Sequence, residues 1–473
     1  MSMARREFIG ALGAALVAPA QARGQAPAVR VTVDYEDAGR PIAPDFIGLS
    51  CESAILTPGT YFTPENATLI ALMHALGGAG VLRIGGNTSE RTAWEPAGVA
   101  APDSIVITPG AIDRLAATLR VLGWKLIYGL NLARGTPDAS AEEAAYVARA
   151  LSPLLLAFQI GNEPDGFGRW RRVRPPTYDV AAFTAEWMRF AAAIRARVPD
   201  AAFAGPDVVA AGDWVPAFAA PAPPGLVLLT RHYYAEGPAG DPGVSLPRLL
   251  QSNGDLERML RELSDASRAA RLPFRLAETN SVFNEGEPSV SDTLGAALWG
   301  LELMFRCAAA GCAGINFHSG DHNRLPERNK AYSPIVRGPD GRLRGAPLYY
   351  GMLMFAQAGR GVLVPARLDA GPAGLSAFAL RADDGNLRIC LINKESRGAM
   401  RVSIAPGRRF STASVLRLGG PAIDATHDVT LGSAVVDDAG RWEPVQREAL
   451  DQSDRNLLLD LPAASAALVT LRG

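Results

Sequence analysis

Between Phe46 and Ala358 the chain repeats one pattern eight times. A short apolar run ends in polar or glycine residues, and in most cases a helical stretch follows. The runs are Phe46–Ser50, Val81–Gly85, Lys125–Asn131, Leu155–Gly161, Ala202–Pro206, Leu226–His232, Phe274–Glu278 and Gly314–His318. Helices are predicted at Pro64–Leu76, Pro109–Leu122, Ser140–Leu151, Tyr178–Val198, Leu246–Arg271, Ser291–Ala310 and Pro347–Ala358. Several open on Pro, Ser or Thr, as helix N-termini tend to. Eight strand–helix units predict an α/β chain with a (β/α)8 TIM barrel over 43–358. A doubly wound open sheet is the alternative, weakened because no GxGxxG follows the first strand.

Beyond Gly359 the helical period disappears. Leu375–Arg381, Leu387–Asn393, Met400–Ile404, Thr412–Arg417, Ser433–Asp437 and Ser465–Leu471 are short, β-like and separated by turn residues. They predict an accessory all-β sandwich. The alternating run Val29–Tyr35 precedes the barrel and is expected to pair into that sandwich. The second domain would then be discontinuous, 27–42 plus 359–473.

The first 22 residues read as an address. Arg5-Arg6 precedes an apolar run from Ala11 to Ala18 and a small-x-small site, Ala20-Gln21-Ala22. This is a twin-arginine-like bacterial signal peptide, so the protein is expected to be exported to the periplasm or beyond. The run is too short for a bilayer, and no other segment predicts a membrane span. Formal net charge is −1, which argues against a dedicated nucleic-acid binder. Hydrophobic residues make up 48% and charged residues 20%, which excludes a disordered chain. Cys51, Cys307, Cys312 and Cys390 have no zinc-like spacing; they read as buried small residues, with a disulfide the lesser alternative.

In a (β/α)8 barrel, chemistry sits at the carboxyl ends of the strands. Two carboxylates stand there: Glu163 after the fourth strand and Glu278 on the seventh. A charge at the end of an apolar strand is costly without a purpose. The plainer reading of each alone is a local ion pair. Together they match glycoside hydrolysis, in which one carboxyl protonates the leaving oxygen and the other attacks the sugar or activates water. Asn162, beside Glu163, could hold a sugar hydroxyl. Arg83 could orient Glu278 or be a buried salt bridge in the barrel mouth. In His232-Tyr233-Tyr234 one Tyr could bond the nucleophile while the other packs. Trp94, Trp170 and Trp214 are candidate sugar platforms or core. Arg169, Arg171, Arg172 and Arg174 could form a basic patch for a polyanionic chain, and a solvated loop face is the favoured reading. GxSxG, HExxH, Walker A and EF-hand patterns are absent. His318 with Asp321-His322-Asn323 lacks a clear ligand geometry, so no metal and no cofactor are expected.

Gly161-Asn162-Glu163-Pro164 with Ala277-Glu278-Thr279-Asn280-Ser281 resembles the retaining barrel glycosidases whose acid/base and nucleophile follow strands four and seven. Leu82-Arg83-Ile84-Gly85-Gly86-Asn87 and His232-Tyr233-Tyr234 narrow the likeness to glycoside hydrolase family 79, the heparanase-like group with its bacterial β-glucuronidases. The resemblance implies a carbohydrate substrate, Glu163 as acid/base and Glu278 as nucleophile. It implies that Glu52 and Asn162 hold sugar hydroxyls, that Tyr234 steadies the nucleophile, and that Tyr332 receives the sugar carboxylate. Where relatives often carry a Tyr five residues past the nucleophile, this chain has Phe283. Phe donates no hydrogen bond. Uronate recognition would then rest on Tyr332, backbone amides or a cation such as Arg324, unless the substrate is partly neutral. The expected activity is exo-acting β-glucuronide hydrolysis. An endo-acting, heparanase-like hydrolase and a non-catalytic carbohydrate-binding protein are the alternatives.

Overall fold

The computed structural model describes residues 28–57, 60–97, 105–251, 254–320, 330–369, 372, 374–450 and 456–473. The leader reading, Arg324 and Asp321-His322-Asn323 lie outside these residues.

Eight parallel strands close into a barrel. In chain order they are Ile47–Glu52, Val81–Gly85, Lys125–Leu130, Leu155–Ile160, Phe203–Val208, Leu226–Glu236, Phe274–Val282 and Ile315–Ser319. Each pairs with its sequence neighbour, and the eighth returns to the first through Ile315↔Ile47 to Ser319↔Cys51. All eight runs read from the sequence are barrel strands. Two run four residues further than their apolar patterns: the sixth continues to Glu236 and the seventh to Val282. There the two strands pair with each other from His232↔Glu278 to Glu236↔Val282, and the Thr279 and Asn280 side chains donate to the carbonyls of Tyr233, His318 and Tyr332.

The surrounding helices follow ordinary capping logic. Pro109–Leu122 starts behind Thr108, whose side chain accepts from Ala111 N, and stops at the left-handed Gly123. Pro137–Leu151 and Leu294–Ala309 are capped in the same way by Thr136 and Thr293. The stretch expected as one helix over Leu246–Arg271 forms two, Leu246–Leu249 and Gly254–Ala270. Pro247 suits a helix start, and Gly254 begins the second helix.

Val29–Val33 lies between Ala366–Asp369 and Met400–Ala405 in a four-stranded sheet. An eight-stranded sheet, with Leu387–Asn393 and Ser465–Arg472 in its middle, packs with it. Their shared core includes Val31, Ile389, Val402, Leu459 and Val469. The expected strand Ser433–Asp437 does not form. Gly432 and Ser433 both have positive φ, 60° and 58°, and turn the chain back so that Ala434 bridges Leu431. Glu448–Leu450 and Leu457–Leu461 are strands the reading passed over.

The sheets and the barrel share a buried seam. Phe305, on the helix Leu294–Ala309, stacks on Phe378 with ring centroids 4.9 Å apart. Glu302 on that helix accepts from Ser376 at 2.7 Å and pairs with Lys394 at 2.5 Å. Cys51, Cys307, Cys312 and Cys390 are buried free thiols.

Candidate active site

Arg83 organises the barrel mouth. It lies on the second strand, fully buried, and its guanidinium reaches five side chains. Nε donates to Gln159 at 2.8 Å; Nη1 donates to Glu278 Oε2 at 2.7 Å and Ser50 at 3.2 Å. Nη2 donates to Asn162 Oδ1 and Asp207 Oδ2, each at 2.7 Å. The path is open because residue 85 is glycine: a Cβ there would sit 2.5 Å from the Arg83 Cζ. The two sequence readings of Arg83 therefore merge, since it is both a buried ion pair and the residue that orients Glu278.

Glu278 is buried on the seventh strand. Tyr234 donates its hydroxyl to Oε1 at 2.7 Å while Arg83 holds Oε2. Burial alone would raise this carboxyl. The His318 and His232 rings, Arg83 and the Tyr234 hydroxyl outweigh burial and hold it well below the usual carboxylate range. Burial and the neighbouring Glu278 push the Tyr234 phenol well up, so it stays a donor.

Glu163 stands on a different kind of backbone. The fourth strand ends at Ile160, and Glu163 is left-handed at φ 49°. Asp207, next to the end of the fifth strand, is left-handed at φ 63°, and its backbone carbonyl accepts the Glu163 N–H at 3.0 Å. Such geometry is uncommon for a residue with a Cβ and persists only where surrounding structure enforces it. His232 lies between the two acids. Nδ1 is 3.0 Å from Glu163 Oε1, and Nε2 makes an ion-pair contact with Asp207 Oδ1 at 2.8 Å. Burial alone would lower the His232 imidazole; Asp207, Glu278 and the hydrogen bonds outweigh it and push it up to about 10. Arg171 donates to the other Glu163 oxygen and to Asn87. The loop cluster read as solvated thus contributes a cation to the site. Arg174 from the same cluster pairs with Glu186 instead.

One oxygen each of Glu163 and Glu278 and one His232 nitrogen lie within 4.8 Å of one another. This trio has the residue types of a metal site. Both His232 nitrogens already face carboxylates, however, Nδ1 toward Glu163 and Nε2 toward Asp207. The cluster is an ion-pair network.

The residues expected to hold the sugar also converge. Glu52, at the end of the first strand, accepts from Thr88 N at 2.7 Å, Thr88 Oγ1 at 2.6 Å and Asn87 N at 3.2 Å. Burial opposes its charge, but His318 and Lys330 bring it down to about 2. A Cβ on Gly86, itself at φ 73°, would collide with the Glu52 carboxylate at 2.6 Å, so the Gly85-Gly86 step makes room for both Arg83 and Glu52. Asn162 gives its oxygen to Arg83 and donates Nδ2 to Asn87 Oδ1 at 3.3 Å, so both ends of its amide are engaged just beneath the cleft. Tyr332 is buried, its ring 6.3 Å from that of Tyr234. Phe283 is 39% exposed and meets Tyr234 edge-on at 6.3 Å. Glu52, Glu163, His232, Tyr234, Glu278 and Tyr332 line one cleft. Trp170 lines it too and is half exposed, whereas Trp214 packs on Phe183 in the core and Trp94 packs on Tyr146.

Sequence reading missed three residues here. Asp207 lies one residue before the end of the fifth strand, and the pattern that found Glu163 and Glu278 applies to it. Glu90 accepts from the backbone N–H groups of Asn162, Leu132 and Ala133 at 2.5, 2.9 and 2.7 Å, and burial raises it to about 7. It pins the loop that carries Glu163. Lys330 lines the cleft from beyond the eighth strand. Glu90 and Lys330 have no local signal, because their positions depend on long-range closure.

No family model matches the chain. Over 92% of its length it is 24% identical to a protein from Aspergillus niger named beta-glucuronidase, covering 92% of that protein. A beta-glucuronidase from Neurospora crassa is 26% identical over 70% of this chain and 66% of its own length. Among solved structures, a 4-O-alpha-L-rhamnosyl-beta-D-glucuronidase from Fusarium oxysporum superposes with a TM-score of 0.78 at 20% identity, over 93% of this chain and all of that one. A GH51 alpha-L-arabinofuranosidase from Thermotoga petrophila gives 0.69 at 17% identity, over 93% of this chain and 99% of that one. With the closed barrel and the facing carboxylates at its mouth, these likenesses make the protein a glycoside hydrolase.

Proposed function

We propose that the protein is a retaining, exo-acting β-glucuronidase of the heparanase-like type, glycoside hydrolase family 79, which releases terminal β-linked glucuronic acid. The observation that carries this reading is the separation of Glu163 and Glu278, whose nearest oxygens lie within 4.8 Å. Retaining enzymes hold their carboxyls about 5–5.5 Å apart, whereas inverting enzymes need about 6.5–9.5 Å to admit water. The likeness to proteins named beta-glucuronidase supports the sugar assignment.

In this mechanism Glu278, ionised and fixed by Arg83 and Tyr234, attacks the anomeric carbon. Glu163 protonates the departing glycosidic oxygen, and a covalent glycosyl-enzyme forms. Glu163, now a carboxylate facing His232 and Arg171, takes a proton from water. That water attacks the same carbon and frees Glu278, so two inversions give net retention. Glu52 and the Asn162 amide orient sugar hydroxyls, and Tyr332 faces the sugar carboxylate. The twin-arginine-like leader supports export, which N-terminal mass measurement of the protein from its native host would check.

The test is initial-rate hydrolysis of 4-nitrophenyl β-glucuronide beside the β-glucoside, β-galactoside, β-xyloside and α-arabinofuranoside. Proton NMR of the first-formed anomer accompanies it. A dominant glucuronide rate with β-anomer released first is expected. A first-formed α-anomer overturns retention. A neutral-sugar preference overturns the substrate. Turnover of polymeric uronate substrates alone points to endo action.

A further inference from the structure

The cations around the cleft are not equivalent. Arg83 and His232 are engaged by Glu278, Asp207 and Glu163. Arg171 is committed to Glu163 and Asn87. Arg231 and Arg258 lie beside Glu262. Lys330 differs from all of these. It is only 4% exposed, yet its ammonium has one hydrogen bond among the described residues, to the Ser319 carbonyl at a long 3.4 Å. No carboxylate of a described residue comes within ion-pair distance of it. Glu52 feels its charge but already spends its oxygens on Thr88 and Asn87. A buried ammonium with three donors and one weak acceptor is expensive unless an anion completes it.

Barrel topology says which part of a substrate would reach it. The eighth strand lies between the seventh and the first, across the barrel from the fourth. A pyranose with its anomeric carbon at Glu278 and its leaving oxygen at Glu163 must extend its ring away from the fourth strand. The far end of the ring then faces the mouth of the eighth and first strands, where Lys330, Tyr332 and Glu52 line the cleft. In a hexuronate that end bears the C5 carboxylate. Phe283, on the neighbouring wall, offers this group no hydrogen bond.

The geometry points to Lys330 as the residue that selects a uronic acid, its ammonium pairing with the substrate carboxylate. This rests on the glucuronidase reading above and deepens it. A substrate carboxylate would pair with an ammonium that no carboxylate among the described residues pairs with, and a neutral hexose would not, so discrimination comes from both affinity and penalty.

The experiment compares wild type, Lys330→Met and Lys330→Arg on 4-nitrophenyl β-glucuronide and β-glucoside, with melting curves to verify folding. Lys330→Met is expected to lower glucuronide kcat/KM by about 10²-fold, mainly through KM, and to leave the glucoside rate within about threefold. Lys330→Arg is expected to keep the glucuronide preference. Equal losses on both sugars, or an unchanged ratio, overturn the assignment and leave Lys330 as a support for Glu52. If Lys330→Met does not fold, Lys330→Gln carries the same comparison. A wild type that hydrolyses neutral glycosides but no glucuronide overturns the glucuronidase reading itself, and the role of Lys330 falls with it.

Discussion

The fourth and seventh strands each end in a glutamate, yet they deliver it differently. Every residue of Phe274–Val282 is buried, and Glu278 projects from extended backbone, where the strand's register shifts against both neighbours, into a cage of Arg83 and Tyr234. The fourth strand stops at Ile160 and hands Glu163 to a left-handed turn followed by Pro164–Gly166. Its partners, His232 and Arg171, come from another strand and from a surface loop, and the Arg171 side chain is itself partly exposed. The difference fits the two tasks proposed for them, nucleophile and acid/base. A nucleophile must remain an anion at a fixed distance from one carbon, which rigid donors secure. An acid/base must give up and recover a proton within each cycle, which suits a loop beside solvent.

Three substitutions would break or sharpen this contrast, in decreasing order of effect. Glu278→Ala removes the group for which nothing substitutes, and kcat should fall on the order of 10⁴-fold or more on every leaving group. Glu163→Ala should cost about 10²–10⁴-fold on alkyl glycosides, and much less in the glycosylation step on 4-nitrophenyl substrates, whose leaving group needs little protonation. Equal losses on the two leaving groups would deny Glu163 the acid role. Tyr234→Phe removes one hydrogen bond to a charged group, worth about 1.5–3 kcal/mol, and should lower kcat about 10-fold or more. Its pH profile carries the sharper sign. Glu278 is held low, so activity is present above its folded pKa and lost as pH falls through it. Without the Tyr234 hydroxyl that pKa rises, and the acid limb of kcat/KM should move to higher pH. An unmoved limb would mean that Tyr234 only packs.

Much of this was readable residue by residue. All eight barrel strands, and the helix bounds at Pro109–Leu122 and Pro347–Ala358, follow from apolar period and capping residues, which are local properties. Glu163 and Glu278 stood out because a carboxylate closing an apolar strand is improbable without a use. Ser433–Asp437 failed as a strand because its alternating pattern ignored two left-handed residues at the turn. Arg169 and Arg172 are exposed as read, but Arg171 and Arg174 meet carboxylates, because a run of arginines looks alike whether it meets water or a carboxylate across a cleft. Asp207 was legible and overlooked.

Periodicity, strand-end polarity and turn chemistry act over a few residues, and from them the sequence by itself determined a barrel of eight strands, a β-rich partner and two opposed carboxylates. Which side chains meet was decided by closure of the barrel. Arg83 bonds Glu278 from 195 positions away and Asp207 from 124. Lys330, buried and lacking a carboxylate partner among the described residues, acquires its place only when the eighth strand returns to the first. Electrostatic interaction depends on distance and burial in three dimensions, and neither quantity exists until the chain has folded.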